Sequence, residues 1–235
     1  MNVILGILIP FIGTLIGSLF VYVMKKELNK KIEIIIYGFA AGVMMSALIW
    51  SLLMPAMEQS VSIVPIVIGL VIGVLLFFVI DKIMEGRIKK IDNLMLAVTL
   101  HNIPEGMAVG VAFASYLVGG LSLSACYALA IGIAIQNFPE GTVVSFPLLK
   151  KGYSKNKAFL YGFISGLFEL LGTLITLVFT SFIVSIMPVM LSIAAGAMMY
   201  VIVIELIPES DSKSKLNVIG FLIGFIIMML LDVML

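Results

Sequence analysis

Long apolar runs separated by short polar connectors follow one another along the whole chain. A helix needs about 20 mostly apolar residues to cross the hydrocarbon of a bilayer, and eight runs reach that length. They predict spans at about 2–24, 34–56, 62–84, 93–116, 121–148, 157–184, 188–208 and 215–234. The pattern therefore predicts an all-α integral membrane protein with eight transmembrane helices.

Composition agrees with this interpretation. Apolar residues make up 62% of the 235 residues and charged residues 11%, and the mean hydropathy is +1.25. Soluble domains are closer to half apolar and a quarter charged, so we expect a multi-pass protein of the cell membrane with the lipid bilayer as its partner. The net charge of +1 gives no indication of a nucleic-acid partner. The first apolar run is too long for a cleavable signal peptide and has no basic segment before it.

The basic residues predict the orientation. All 14 Lys and Arg lie in or beside alternate connectors, and the other connectors and both chain ends have none. Because basic loops face the cytoplasm, both termini are predicted to be extracellular or periplasmic. A wrong number of spans would scatter these charges over both faces, so the pattern also supports eight.

Asp81 and Asp232 are at span ends, whereas four acids lie well inside predicted spans: Glu105, Glu140, Glu169 and Glu205. The single histidine, His101, does so too, and no Lys or Arg lies at a similar depth. An ionisable group in the hydrocarbon costs a few kcal/mol or more and usually marks a functional pathway. We therefore expect these acids to be protonated, hydrated or neutralised by a bound cation.

A repeated motif provides the most specific signal. Residues 101–106 read His-Asn-Ile-Pro-Glu-Gly, and residues 136–141 read Gln-Asn-Phe-Pro-Glu-Gly, 35 positions later. The linker between the two spans is short, so the spans run in opposite directions and the motifs can face each other across a pseudo-two-fold axis. Inverted repeats of this kind build transport sites near the membrane midplane.

The spacing within each motif puts metal-binding groups together. His101 and Glu105 are four residues apart and share a helix face, as do Gln136 and Glu140. Each motif proline frees a backbone carbonyl, and the glycine after each glutamate allows a neighbouring helix to approach. Imidazole and carboxylate groups suit zinc, iron, manganese or cadmium. A set without thiolates should bind such a cation moderately and release it, as a carrier requires.

Two other interpretations compete with a metal carrier. An intramembrane metal-dependent hydrolase would use the same ion, but such enzymes usually hold it with three firm protein ligands, often several histidines. A proton- or sodium-coupled carrier of another solute could use the glutamates as a relay. The single histidine disfavours the first, and the lack of an intramembrane basic residue disfavours the second.

At these motifs the chain resembles the ZIP (Zrt-, Irt-like) family of metal transporters, and the resemblance extends over essentially its whole length. Gln136 and Asn137 replace a histidine and an aspartate found in other members, which is similar to the bacterial GufA-type branch. The segments that resemble the family are 40–44, 101–106, 136–141, 143–148, 165–169, 195–200 and 205–209.

The resemblance implies a single transmembrane transporter domain over residues 1–235 that moves divalent cations into the cytoplasm. Zinc is the expected substrate, with iron, manganese and cadmium as alternatives, and two adjacent ions are expected between spans four and five. The first ion would be held by His101, Glu105, Gln136 and Glu140, with Met44 as a further candidate. The second would be held by Asn102, Glu105, Asn137, Glu140 and Glu169, the glutamates bridging. A homodimer is also implied.

Overall fold

The computed structural model of the protein describes residues 2–24, 29–84, 90–210 and 214–234. Every regular element within these ranges is a helix, which confirms the predicted all-α class there. The α-helices are α1 (Asn2–Leu19), α2 (Lys30–Ala47), α3 (Met54–Gln59), α4 (Ile63–Met84), α5 (Lys90–Leu117), α6 (Leu123–Lys150), α7 (Lys155–Val178), α8 (Thr180–Val201), α9 (Ile207–Glu209) and α10 (Lys215–Met234). A 3-10 turn at Phe20–Tyr22 extends α1, and π-helical turns at Leu48–Leu53 and Ile202–Leu206 join α2 to α3 and α8 to α9.

Six helical segments of the described chain are long and apolar enough to cross a membrane. They cover 3–22, 30–59, 63–83, 155–178, 185–204 and 215–234. Helices α5 and α6 have 28 residues each and are therefore also long enough, but they carry the two polar motifs. The structure is that of a membrane protein, while the eight-span count stays a prediction.

One predicted boundary differs from the structure. The sixth span was expected to run to residue 184, but α7 ends at Val178 and α8 begins at Thr180. The hydroxyl of Thr180 donates to the carbonyl of Thr176 (2.8 Å) and so satisfies part of the last turn of α7. The sequence stays apolar across this break, and no Gly or Pro marks it before Pro188. Hydropathy alone therefore placed the boundary too late.

Tight turns join α5, α6 and α7 in succession. Gly119 (φ +82°) and Gly152 (φ +92°) adopt the left-handed backbone conformation that glycine tolerates best. Ser122 and Ser154 then cap the next helix, each accepting a backbone N–H of its first turn. These signals make consecutive helices antiparallel, as the sequence predicted for the two motif helices.

The chain forms two compact units. The first comprises residues 1–24 and 98–186, and thus contains α1, α6, α7 and most of α5. Helices α1 and α6 are in close contact at Gly13 and Gly17. A β-carbon at either position would overlap the carbonyl of Ala134 or of Phe138. Such small residues let membrane helices approach closely.

The second unit comprises residues 25–97 and 187–234. Its helices α2 and α10 approach closely at glycines. At Gly42, for example, a β-carbon would overlap the carbonyl of Phe221. Helices α4 and α8 pack in the same way at Gly73 and Gly196. Tyr200 of α8 also donates its hydroxyl to Asp81 of α4 (2.8 Å).

Candidate metal site

Six of the eight predicted ligand residues have described side chains in the first unit. None of the six is more than 2% exposed. They are Asn102, Glu105, Gln136, Asn137, Glu140 and Glu169. The side chain of His101 lies outside the described part of the structure, although its backbone belongs to α5. Met44 is buried in α2 of the second unit.

The two repeated motifs meet through Gln136 and Glu105. The Nε2 group of Gln136, on α6, donates a hydrogen bond to Oε1 of Glu105, on α5. Both side chains are buried, so this bond forms where water does not compete for either group. Glu140 is one helical turn after Gln136 and is 1% exposed.

Glu169 joins the motif of α6 from the neighbouring helix α7. The Nδ2 group of Asn137 donates to both carboxylate oxygens of Glu169, at 2.9 and 3.0 Å. The same group lies 3.4 Å from the carbonyl of Pro10 on α1. Asn137 therefore connects α1, α6 and α7 at the level of the site. The sequence marked Glu169 as an acid inside a span, and the family resemblance assigned it to the second ion. This contact places it beside a motif residue.

Asn102 is held by a residue that sequence reasoning did not single out. Its Nδ2 group donates to the carbonyl of Ser165 (3.1 Å) and lies 3.3 Å from the Ser165 hydroxyl. Thr99 donates to the same hydroxyl (3.2 Å). Ser165 precedes Glu169 by one helical turn, so spacing on α7 was the signal that could have identified it.

Two buried amide oxygens point away from these hydrogen bonds. Among the described residues, Oδ1 of Asn102 and Oδ1 of Asn137 have no hydrogen-bond partner. Buried polar atoms are nearly always satisfied, and an exception needs an explanation such as an ion or a water. A bound cation is one kind of group that would satisfy such an oxygen.

The motif glycines bring the backbones of neighbouring helices together, as the sequence predicted. A β-carbon at Gly106 would overlap the carbonyl oxygen of Glu169, and one at Gly141 would overlap the carbonyl oxygen of Thr14. The hydroxyl of Thr173 donates to the Gly106 carbonyl (2.8 Å) and further ties α5 to α7. Glycine at these positions thus fixes how near Glu169 can come to the motif of α5.

The electrostatics of this cluster favour a cation. The buried side chains of the described residues include carboxylates and amides but no Lys or Arg. Amide N–H groups face Glu105 and Glu169 in the place that a positive charge would take. No three His, Cys, Asp or Glu side chains of the described residues gather closely enough to hold a metal. The amide oxygens beside these carboxylates are further ligands that suit hard and borderline cations.

Apolar helices around a buried cluster of carboxylates and amides define a multi-pass membrane protein with a polar centre. Comparison with known proteins gives the family. The model of the ZIP zinc transporter family matches residues 90–232, more than half of the chain. The zinc transporter ZIP11 of Xenopus tropicalis is 31% identical, with 97% of this chain and 96% of that protein covered.

Two bacterial relatives extend the comparison. The zinc transporter ZIPB of Bordetella bronchiseptica is 32% identical over 97% of this chain and 80% of its own length. The zinc transporter GufA of Myxococcus xanthus is 36% identical over 59% of this chain and 53% of its own length. The chain belongs to the ZIP family, and its similarity to GufA agrees with the branch expected from Gln136. It is a multi-pass protein of the cell membrane that transports divalent metal ions, and not an enzyme.

Proposed function

We propose that this protein carries zinc into the cytoplasm, with iron, manganese and cadmium as further substrates, through a site near the middle of the membrane between α5, α6 and α7. Three relatives, all named as zinc transporters, support zinc as the principal substrate. The proposed ligands are His101, Asn102, Glu105, Gln136, Asn137, Glu140, Glu169 and Met44.

The observation that carries this proposal is the burial of three carboxylates in one unit of the protein. Glu105, Glu140 and Glu169 are each at most 2% exposed, and no Lys or Arg is among the buried described side chains. Carboxylates in a low-dielectric interior are costly unless they are protonated or neutralised. A divalent cation neutralises two of them at once, which a single buried Lys would not do.

Binding requires the amides to change partners. Gln136 and Asn137 now present N–H groups to carboxylates, and a cation would instead need their oxygens. Rotating each terminal amide by half a turn exchanges the two groups with little change in volume. Binding also competes with protons for the carboxylates, so release is favoured by reprotonation. Two adjacent cations could share the glutamates as bridges.

The proposed membrane arrangement rests on charge and length. Eight spans, made from α1, α2–α3, α4, α5, α6, α7, α8–α9 and α10, leave every Lys and Arg on one side, which is the cytoplasmic side by the positive-inside rule. Both termini are then outside. The inverted motifs are suited to a site that opens alternately to the two faces, and we propose a homodimer by analogy with the family.

Uptake into proteoliposomes tests the proposal. Purified protein is reconstituted with a zinc-sensitive dye inside, and Glu105→Gln is compared with Glu58→Gln, the same change at an exposed acid at the end of α3. We expect the first variant to lose most zinc uptake and the second to keep it. Equal uptake by Glu105→Gln and the unmodified protein would remove the basis for this site. Proton movement that needs Glu105 but no metal would instead favour the proton-coupled carrier.

A further inference from the structure

The helix pairs α5–α7 and α6–α1 repeat the same contacts, which extends the pseudo-symmetry beyond the two motifs. The residues of α6 correspond to residues of α5 that lie 35 positions earlier, and those of α1 to residues of α7 that lie 155 positions later. Asn102 donates to the carbonyl of Ser165 (3.1 Å), and Asn137 donates to the carbonyl of Pro10 (3.4 Å). These four residues match under the two offsets.

Further contacts follow the same offsets. A hydroxyl on the outer helix donates to the carbonyl of each motif glycine: Thr173 to Gly106 (2.8 Å) and Ser18 to Gly141 (3.4 Å). A glycine of the outer helix also meets a motif-helix carbonyl in both pairs, Gly172 at Ile103 and Gly17 at Phe138. Several independent contacts therefore relate α7 to α1 residue by residue.

Under this correspondence the counterpart of Glu169 is Thr14. The motif glycines lie against the carbonyls of these two residues, Gly106 against Glu169 and Gly141 against Thr14. Glu169 extends from its helix to the asparagine of the opposite motif, Asn137. The correspondence predicts that Thr14 holds the equivalent position relative to the other asparagine, Asn102.

The hydroxyl of Thr14 is not used in the way that other hydroxyls of these helices are. Thr173, Thr176, Thr180 and Ser18 each donate to the carbonyl four residues earlier. The corresponding carbonyl for Thr14 belongs to Pro10, and it already accepts Nδ2 of Asn137. Thr14 is 1% exposed, and its Oγ1 has no hydrogen-bond partner among the described residues.

The surroundings of Thr14 place it against α7. A β-carbon built at Gly166 would lie 3.3 Å from the β-carbon of Thr14, so Thr14 packs against α7 one turn before Glu169. The other buried oxygens without a partner in this part of the unit include Oδ1 of Asn102 and Oδ1 of Asn137. We propose that Thr14 Oγ1 is an additional oxygen ligand of the cation bound beside Asn102, Asn137 and Glu169.

This inference rests on the proposed metal site and adds a ligand from α1 to it. The added ligand is a neutral hydroxyl where its counterpart is a carboxylate. Asn102, Asn137, Glu169 and Thr14 would then offer that cation oxygen ligands only: two amides, a carboxylate and a hydroxyl. Such a set favours hard and borderline cations over soft ones.

Zinc binding to the purified full-length protein, measured by titration calorimetry with zinc chloride, tests the inference. Thr14→Val keeps the shape of the side chain and removes its oxygen, whereas Thr14→Ser keeps the oxygen. The control Thr176→Val makes the same change at a buried threonine of α7 whose hydroxyl donates within its own helix. We expect Thr14→Val to weaken zinc binding about tenfold, at the lower end of the loss seen when a supporting group of a metal site is removed. Thr14→Ser and Thr176→Val should each stay close to the unmodified protein.

Glu105→Gln, measured in the same series, separates the two proposals. If it abolishes binding while Thr14→Val binds zinc as the unmodified protein does, the metal site stands and the role of Thr14 is refuted. If Thr14→Val and Thr176→Val weaken binding equally, the effect is one of general packing and the inference also fails. If the unmodified protein binds no zinc, both proposals fall together.

Discussion

The hydrogen bonds between Asn137 and Glu169 allow a quantitative test of how the site is held. Asn137→Leu removes both N–H donors from a carboxylate that is 1% exposed. Hydrogen bonds between helices in membranes contribute about 0.6 kcal/mol on average and up to about 1.7. Two such bonds, made here to a carboxylate, predict that the variant loses about 1–3 kcal/mol of its free energy of unfolding.

A double-mutant cycle isolates this contribution from the general cost of each substitution. Glu169→Leu removes the acceptor, and the double variant removes both partners. Leaving one buried group without its partner costs more than removing both, so the double variant should be more stable than the sum of the two losses predicts. We expect a coupling energy of about 1–2 kcal/mol, because the two bonds are lost together in each variant.

The assay is reversible unfolding in mixed detergent and SDS micelles, followed by helix content. Asn156→Leu is the matched control. This exposed asparagine in the first turn of α7 accepts a hydrogen bond from the Tyr22 hydroxyl (2.9 Å), but water can replace that bond, so stability should change little. Changes at independent sites add within about 0.3–0.5 kcal/mol. A coupling energy no larger than this tolerance would show that Asn137 does not hold Glu169. It would refute the role assigned to these two hydrogen bonds in joining α6 to α7.

Three further predictions follow from packing and exposure. Gly106→Ala should destabilise the protein by at least about 1–3 kcal/mol and abolish transport, because the new β-carbon would overlap the backbone of Glu169, which is less able to move than a side chain. An unchanged melting temperature in detergent would contradict the close contact. Cys126 has 0% exposure, so a maleimide should label it only after unfolding in SDS; rapid labelling of the folded protein would show that α6 is packed differently. In a Cys126→Ala background, a membrane-impermeant reagent added to whole cells should label Val118→Cys and not Lys151→Cys, and the opposite result would invert the proposed orientation.

Much of the fold could be predicted from the sequence because the bilayer imposes a length and a polarity on every span. Apolar runs of about 20 residues located the helices, and the tight turns after α5 and α6 confirmed that the motif helices are antiparallel. The break at Phe179 could not be located in this way, since the residues on both sides are equally apolar. In the membrane such a turn needs backbone hydrogen-bond partners, and Thr180 provides one from its side chain.

The chemistry of the site was visible in the sequence as residues that are too polar for their surroundings. Glu105, Gln136 and Glu140 were identified by motif and helical spacing, and their burial agrees with that. The part of Ser165 was not predicted, because a serine in an apolar helix usually bonds to its own helix and gives no sign of a partner on another. Its neighbour along α7, Glu169, was visible in the sequence as an acid inside a span, whereas its assignment to the second ion came through the family resemblance.

By itself, the sequence determined the class of the protein, the position of most helices and which polar groups are forced into the membrane interior. These properties depend on local composition and helical periodicity, both of which can be read along one chain. Only the tertiary structure decided which groups meet: Asn137 with Glu169, Asn102 with Ser165, and Thr14 with Gly166. Such contacts join residues as far as 152 positions apart, and they depend on which glycines let two backbones approach, a property of helix pairs that no single helix encodes.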